Sequence, residues 1–276
     1  MTVEWLLIPL GLVVGIYGTL IGAGGGFALV PALLFLYPTA SPATITSISL
    51  AVVFFNAASG SIAYARERRI DYRTGLAFAA ATVPGAIVGA LVVSLIPRSL
   101  FEGLFGVLLL LTAFVIMIRP TPKIAGSAGE QPGMTQRVVI DARGVRYEYR
   151  FHQWKGLLIS VGVGFLSSLL GIGGGIIHVP ALVLVLNFPP HIATATSQFI
   201  LAFMTFAGTS VHLATRELAV GSGLIRSLLL AAGVIPGAQI GAALSHRVKG
   251  ALLIRLLAIS LAAVGLRLIV GLFTSQ

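Results

Sequence analysis

Six long apolar segments constrain this chain more than any other feature of its sequence. Each runs for 18 to 22 residues with few charges, and a helix needs about 20 apolar residues to cross a bilayer core of roughly 30 Å. The segments are residues 47–65, 74–95, 100–118, 198–215, 223–244 and 252–272. Residues 5–36 and 156–186 are also apolar, but glycines interrupt each in the middle, so each is expected to form two short arms. The pattern predicts an all-α polytopic membrane protein with about 8 transmembrane segments.

The composition excludes an ordinary soluble domain. Hydrophobic residues make up 57% of the chain and charged residues 9%, whereas soluble domains have about 45–50% and about 25%. This chain has too few polar side chains to cover a water-exposed surface. It has no cysteines, only eight acidic residues and no HExxH motif, so neither a metal nor another cofactor is expected. We expect a multi-pass protein of the inner (plasma) membrane, and not an enzyme.

The net charge of +10 is concentrated in two places. Residues 66–73 and 119–155 together hold 11 of the 18 lysines and arginines. Basic loops between apolar spans are typical of the cytoplasmic face, where they also meet anionic lipid. We therefore expect membrane lipid as a partner; nucleic-acid binding is the weaker alternative and is not predicted.

Three motifs recur in the same order in the two halves of the chain. Residues 22–26 and 31–33 match residues 171–175 and 180–182, at an offset of 149. The segments Ala43-Thr-Ile-Thr-Ser47 and Ala193-Thr-Ala-Thr-Ser197 also correspond, and Pro84-Gly85-Ala86 corresponds to Pro236-Gly237-Ala238. Such a match predicts a duplicated unit. The predicted domains are a first transmembrane repeat (1–118), a basic cytoplasmic linker (119–155) and a second transmembrane repeat (156–276).

The linker is the only long polar stretch, and its second part alternates polar and apolar residues. Residues 138–140 and 145–151 flank a turn at residues 141–144, which predicts a small cytoplasmic β-hairpin. The first part is rich in proline and glycine and is expected to be a flexible connection. The β-hairpin either covers the membrane part or serves as a solubilising connector, and the second alternative is favoured.

The orientation of the two repeats depends on the glycine-broken regions. If their arms form re-entrant hairpins, or if both arms cross, each half spans an odd number of times and the second half is inverted. If each region is one kinked span, the halves are parallel. Charge does not decide, because Arg216 and Arg226 on one side balance Arg247 and Lys249 on the other. Inversion is favoured because transporters with broken helices often use it.

Consecutive glycines in an apolar segment are the first candidate for function. Each glycine weakens a helix by about 1 kcal/mol, and a broken backbone is tolerated at membrane depth only inside protein or beside a wet cavity. A short helix that begins after Gly26 or Gly175 would aim its amides and positive dipole end at the protein centre, forming an anion site. Tight packing is the alternative, and we expect it for the pairs Gly85/Gly89 and Gly237/Gly241.

Polar side chains within the spans are the second candidate. The hydroxyls at residues 44–47 and 194–197 open helices, so they are expected to cap them and to face the same cavity as the glycines. Asn56, His178 and Gln198 are costly at membrane depth, which makes them candidates for ligand contacts, although each could equally join two helices. All eight carboxylates lie in loops or near span ends, so the charge pattern favours an anionic substrate.

Two GxGGG motifs, each followed by Pro-Ala-Leu and then by an A-T-x-T-S segment, resemble the sulfite exporter TauE/SafE family (the TSUP permeases). The resemblance covers both halves and omits the linker. It implies a secondary transporter that moves a small sulfur-containing anion, such as sulfite, thiosulfate, sulfoacetate or another organosulfonate, by alternating access. The implied substrate path comprises Gly24, Gly25, Gly26, Thr46, Ser47, Gly173, Gly174, Gly175, Thr196 and Ser197.

Other functions stay open at this point. A transporter of a small carboxylate would use the same backbone chemistry, and the linker is compatible with a non-transporting membrane assembly factor. An intramembrane serine–histidine enzyme is the weakest alternative, because no nucleophile motif accompanies either histidine within the spans. A homodimer is compatible with the sequence.

Overall fold

The computed structural model describes residues 4–118, 133–219 and 222–274, so the proline- and glycine-rich start of the linker (119–132) lies outside the described residues. Within these ranges, ten α-helices and two strands follow one another. They are α1 (Leu7–Leu20), α2 (Gly26–Leu36), α3 (Pro42–Arg66), α4 (Tyr72–Val92), α5 (Arg98–Ile118), β1 (Thr135–Ile140), β2 (Arg146–Phe151), α6 (Gln153–Leu170), α7 (Gly175–Leu184), α8 (Pro190–Ala214), α9 (Gly223–Ser245) and α10 (Gly250–Thr274).

Among the described residues, seven helices are long and apolar enough to cross a membrane: α3, α4, α5, α6, α8, α9 and α10. Six of them coincide with the six apolar segments of the sequence, and the seventh, α6, is the first arm of the second glycine-broken region. The helices α1, α2 and α7 are shorter. The expected multi-pass helical protein with a small two-stranded sheet is confirmed, whereas the count of 8 spans stays a prediction.

The start points of α3 and α8 correct one expectation. The hydroxyls at residues 44–47 and 194–197 do not cap these helices, because the helices begin earlier, at Pro42 and Pro190. Proline suits the first helical position, since it has no N–H to satisfy and its φ is already helical. The cap of α3 is Ser41, whose hydroxyl accepts a hydrogen bond from the Thr44 amide at 3.1 Å.

Glycines allow two long helix pairs to pack closely. Along α1 and α9, a Cβ on Gly11 would lie 3.1 Å from the Leu230 carbonyl carbon, and one on Gly241 would lie 3.0 Å from that of Ile16. Along α4 and α6, a Cβ on Gly89 would lie 2.9 Å from the Leu169 amide. The packing role expected for Gly85/Gly89 and Gly237/Gly241 is confirmed, because backbones touch where these residues lack side chains.

One end of the molecule carries the β-hairpin and is called the β-hairpin face. The Ala142 amide in the turn donates to the Glu67 carbonyl at 2.9 Å, directly after α3. Arg69, in the same loop, lies 3.8 Å from the Asp141 carboxylate and donates to the Ser245 hydroxyl at 3.4 Å. The ends of α3 and α9 therefore lie on this face, together with the start of α4.

Tyr149 of β2 also binds the membrane part at this face. Its hydroxyl donates to the Asp71 carboxylate at 2.9 Å, and its ring lies 4.3 Å from that of Phe188, centroid to centroid. Burial, together with the neighbouring Asp71 carboxylate, raises the pKa of the Tyr149 phenol. The predicted β-hairpin exists, and it is packed against the helices.

The opposite end, called the distal face, is held together by two arginines. The Arg98 guanidinium at the start of α5 donates to the carbonyls of Leu34 and Ala40 at 2.9 and 3.2 Å. The Arg226 guanidinium at the start of α9 lies 3.8 Å from the centre of the Tyr37 ring. The end of α2 and the starts of α3, α5 and α9 therefore lie at the distal face.

The two glycine-broken regions form helical hairpins that turn back inside the protein. α1 runs in the same direction as α9, away from the distal face, and α2 returns to that face at Tyr37. α6 starts directly after β2, and α7 leads back to Phe188, which contacts the β-hairpin. One helical hairpin therefore enters from each face.

Candidate functional site

The tips of the two helical hairpins meet in the middle of the protein. The first glycine loop (residues 21–25) joins α1 to α2, and the second glycine loop (residues 171–174) joins α6 to α7. A Cβ on Gly26 would lie 2.6 Å from the Ile172 carbonyl oxygen, and one on Gly175 would lie 2.5 Å from the Cα of Ala23. Only glycine, which has no Cβ, allows the loops to approach this closely.

The two short helices that follow the loops, α2 and α7, are each preceded by a capping glycine in the left-handed region. Gly25 has φ +84° and Gly174 has φ +85°, conformations that are costly for residues with a Cβ. The first amides of a helix have no partner within the helix, and the dipole places partial positive charge there. Two such helix starts therefore lie side by side between α3 and α8, the two helices with the largest buried share.

Side chains from α3 and α8 hold the first glycine loop. The Asn56 amide donates to the Gly24 carbonyl at 2.9 Å, and its own carbonyl accepts from the Thr19 hydroxyl at 2.9 Å. Ser197 donates to the Gly22 carbonyl at 3.0 Å, and the Gln198 amide donates to the Gly18 carbonyl at 3.3 Å. The Gly22 and Gly24 carbonyls of this loop are thus bound within the protein.

The second glycine loop has fewer such bonds. The Ser49 hydroxyl donates to the Gly171 carbonyl at 2.6 Å. The Thr46 hydroxyl lies 3.2 Å from where a Cβ on Gly171 would stand, and it has no hydrogen-bond partner among the described residues. The two loops therefore differ: more side chains form hydrogen bonds at the first loop, and the Thr46 hydroxyl beside the second loop forms none with the described residues.

Comparison with known proteins gives the family. The model of the family described as "Sulfite exporter TauE/SafE" matches residues 7–268, nearly the whole chain. The chain belongs to this family. No solved structure matches it.

Relatives of this TauE/SafE protein are named as membrane transporters. It is 32% identical over 270 residues to the "Probable membrane transporter protein YunE" of Bacillus subtilis, covering 96% of each chain. It is 29% identical to the "Probable membrane transporter protein MJ0441" of Methanocaldococcus jannaschii, over 75% of this chain and 72% of the relative. A "Probable membrane transporter protein" of Xylella fastidiosa is 28% identical over similar shares, 75% and 72%. The family is one of membrane transporters, and a multi-pass protein of the plasma membrane agrees with this membership.

Most residues implied by the TauE/SafE resemblance surround the two loops. Gly24, Gly25, Gly173 and Gly174 belong to the loops, and Gly26 and Gly175 each lie against the opposite loop, at Ile172 and Ala23. Thr46 and Ser197 contact the loops, as do two polar candidates from within the spans: Asn56 binds the first loop, and Gln198 binds the helix that precedes it.

Three of the candidate residues have other neighbours. Ser47 donates to the Thr44 carbonyl of its own helix at 2.8 Å. Thr196 accepts from the Asp71 amide at 3.1 Å, near the β-hairpin face. His178 lies with its Nε2 3.1 Å from the hydroxyl of Ser160 on α6.

Sequence reasoning missed several hydroxyls beside the loops. Thr19 and Ser168 precede the two loops at matched positions, 149 residues apart, and Ser49 binds the second loop directly. The internal repeat could have identified Thr19 and Ser168, because they occupy matched positions in the two halves. Ser49 has no such signal, because its counterpart in the second repeat is Phe199.

Proposed function

We propose that the chain is a secondary transporter of a small sulfur-containing anion, such as sulfite, thiosulfate, sulfoacetate or another organosulfonate. The observation that supports it is the meeting of two helix starts, Gly25–Gly26 and Gly174–Gly175, in the buried centre. Backbone amides and the positive ends of two helices favour an oxyanion there. The sulfur specificity comes from the family's description, since a small carboxylate would satisfy the same groups.

The placement of acidic residues agrees with an anionic substrate. Within the described ranges, Glu102 is the one carboxylate in a helix long enough to span, and it lies in the second turn of α5, 2.7 Å from the Arg98 guanidinium. Cation carriers typically use a carboxylate at mid-depth, where ionisable groups are rare and functional. The described helices offer backbone amides and hydroxyls there.

We further propose that the two repeats are inverted and that alternating access takes place around their interface. In support, α3 runs from the distal face to the β-hairpin face, whereas α8 runs the other way. The packing pairs also exchange: α1 lies along α9, and α6 lies along α4. A ligand held where the two helical hairpins meet would face either side as one repeat rocks against the other.

The test is ligand binding and counterflow with purified protein. A ligand that binds the folded state raises its melting temperature, so sulfite, thiosulfate, sulfoacetate, sulfate, acetate and succinate are compared first. Proteoliposomes loaded with the best ligand should then show saturable counterflow. Shifts with carboxylates alone would favour the carboxylate alternative, and conductance without saturable counterflow would indicate a channel. No shift and no counterflow with any anion would contradict the proposal and favour a non-transporting assembly factor.

A matched pair of glycine variants links counterflow to the helix start. A Cβ on Gly174 would be strained by its φ and would stand 2.7 Å from the Ser167 hydroxyl and 2.8 Å from the Met204 methyl. A Cβ on Gly162, within α6, would meet nothing within 4 Å. We expect Gly174→Ala to lose counterflow and Gly162→Ala to keep it. Equal counterflow in both variants would show that the start of α7 does not take part.

The arrangement of Ser160 and His178 gives no support to an enzyme. The Ser160 hydroxyl donates to the Gly156 carbonyl at 2.7 Å, so its proton is already engaged within α6. Both residues are buried, and the second ring nitrogen of His178 has no partner in the part of the chain that the structure describes. A serine nucleophile needs a base that is itself oriented by a third group.

A further inference from the structure

Many hydroxyls in the long helices of this protein bind the backbone of their own helix. Ser160 donates to Gly156, Thr205 to Leu201 and Ser227 to Gly223, each four residues back, at 2.7, 2.6 and 2.9 Å. This bond satisfies the proton of a serine or threonine where no water is present. A buried hydroxyl that leaves it unmade therefore requires another explanation.

Three hydroxyls near the second glycine loop depart from this rule. Ser167 and Ser168 occupy the last turn of α6, and Thr46 occupies the second turn of α3; all three residues are 0% exposed. None of their hydroxyls has a hydrogen-bond partner among residues 4–118, 133–219 and 222–274. An unpaired hydroxyl in an apolar interior is unfavourable by about 1–3 kcal/mol, so three in one place indicate a site that a polar ligand completes.

Each of the three hydroxyls lies against a different glycine. The Ser167 oxygen lies 2.7 Å from the Cβ position of Gly174, the residue that caps α7. The Thr46 oxygen lies 3.2 Å from that of Gly171, at the other end of the same loop. The Ser168 oxygen lies 3.1 Å from that of Gly208 on α8. The hydroxyls thus come from two helices, and each faces a backbone position that carries no side chain.

His212 is a further buried polar side chain, and it lies closer to the distal face. It follows Gly208 by one helical turn, so it lies on the same side of α8. It is 0% exposed, and neither ring nitrogen has a partner within the described ranges. An imidazole always carries at least one N–H donor when neutral.

The first glycine loop lacks an equivalent set. There the amide side chains of Asn56 and Gln198 bind the loop and the helix before it, and Thr19, the counterpart of Ser168, donates to Asn56. Thr194 is unpaired beside Gly22, but the other unpaired atom nearby, the Gln198 carbonyl oxygen, is an acceptor that would repel an anion. The polarity around the two loops is therefore unequal.

We propose that the substrate anion binds asymmetrically, with its side-chain donors supplied from around the second glycine loop. In this second-loop subsite, the hydroxyls of Thr46, Ser167 and Ser168 and the first amides of α7 bind the oxygens of an –SO₃ head group, and His212 donates to the anion on its way to the distal face. The inference rests on the proposed function and deepens it. Three hydroxyls match the three oxygens of a sulfite or sulfonate better than the two oxygens of a carboxylate.

The test uses sulfite and methanesulfonate as probes and the purified full chain. Ser167→Ala, Ser168→Ala and Thr46→Val each remove a donor to a charged group, so the dissociation constant of either probe should rise about tenfold or more. The matched control is Ser227→Ala, a buried hydroxyl already bound within α9, which should leave the constant unchanged.

A second readout separates binding from structure. Because the three hydroxyls are unpaired in the folded protein, their removal should leave the ligand-free melting temperature unchanged or slightly higher, whereas a structural hydroxyl would lower it. Unchanged binding in all three variants, beside normal binding in the parent chain, would overturn the subsite and leave the transporter standing. A larger effect from Thr194→Val would place the anion on the first loop and would also overturn it. Absence of binding in the parent chain would remove the proposed function itself.

Discussion

At the scale of single residues, Asn56 of α3 binds the first glycine loop and α1, at positions 32 and 37 residues away in the sequence. The side-chain amide of Asn56 donates to the Gly24 carbonyl, and its side-chain carbonyl accepts from the Thr19 hydroxyl on α1. Both side chains are 0% exposed. The freed backbone of a glycine loop needs such partners at membrane depth, because no water can replace them. Asn56 therefore acts here as a structural residue that keeps the first loop closed.

A double-mutant cycle on Thr19 and Asn56 tests this role. Asn56→Ala leaves both the Gly24 carbonyl and the Thr19 hydroxyl without a partner, so the free energy of unfolding should fall by about 1–3 kcal/mol. Thr19→Val should have a smaller effect, and little further effect once Asn56 is gone, because the two residues share a bond. Unfolding in detergent, followed by circular dichroism, measures all three variants. Strictly additive effects would contradict the shared bond.

The sequence could identify Asn56 but not its partners. From the sequence alone, a single amide side chain in an apolar span could equally bind a ligand or join two helices. Only the position of Thr19, 37 residues away, decides between these two roles. Thr19 and Ser168 occupy equivalent positions, yet one hydroxyl is bound and the other is not. Motif matching treats the two as the same, because it sees residue types and not the groups that face them.

At the scale of elements, the β-hairpin is docked by a buried ion pair. Arg69 and Asp141 are 3% and 4% exposed, and the Asp141 carboxylate also accepts from the amides of Arg143 and Val145 at 2.9 Å. The alternation of residues 138–151 sufficed to predict the β-hairpin. It could not predict the docking, since Arg69 resembles any other arginine of a basic cytoplasmic loop.

Loss of Arg69 should release the β-hairpin. Arg69→Leu leaves the Asp141 carboxylate buried without its cation, and breaking one partner of a buried pair typically costs about 3–5 kcal/mol. We expect faster tryptic cleavage after Arg143 and Arg146 in membranes that contain this variant. Glu148→Gln is the control: its pair with Arg146 is exposed, so its loss should change nothing measurable. Equal cleavage in the parent chain and Arg69→Leu would show that the ion pair does not hold the β-hairpin.

At the scale of the whole molecule, long-range contacts bear on the orientation of the two repeats, which the distribution of charge left undecided. Two basic residues at each end left parallel and inverted repeats equally compatible with the positive-inside rule. The proposed inversion depends on long-range pairs such as Arg226 with Tyr37 and Ala142 with Glu67, each far apart in the sequence. Such pairs arise only when the halves fold together, so no reading of one half alone could reveal them.

Labelling of single cysteines tests the inversion directly, because the chain has no cysteine of its own. Arg66 is the last residue of α3 and Thr215 directly follows α8, and both are exposed. If the repeats are inverted, a membrane-impermeant maleimide should label Thr215→Cys in intact cells but Arg66→Cys only after permeabilisation. Arg143→Cys in the β-hairpin shares a face with Arg66 and should behave like it. Parallel repeats would instead give the same sidedness to Arg66→Cys and Thr215→Cys, and alternating access could then no longer depend on exchange between two opposed helical hairpins.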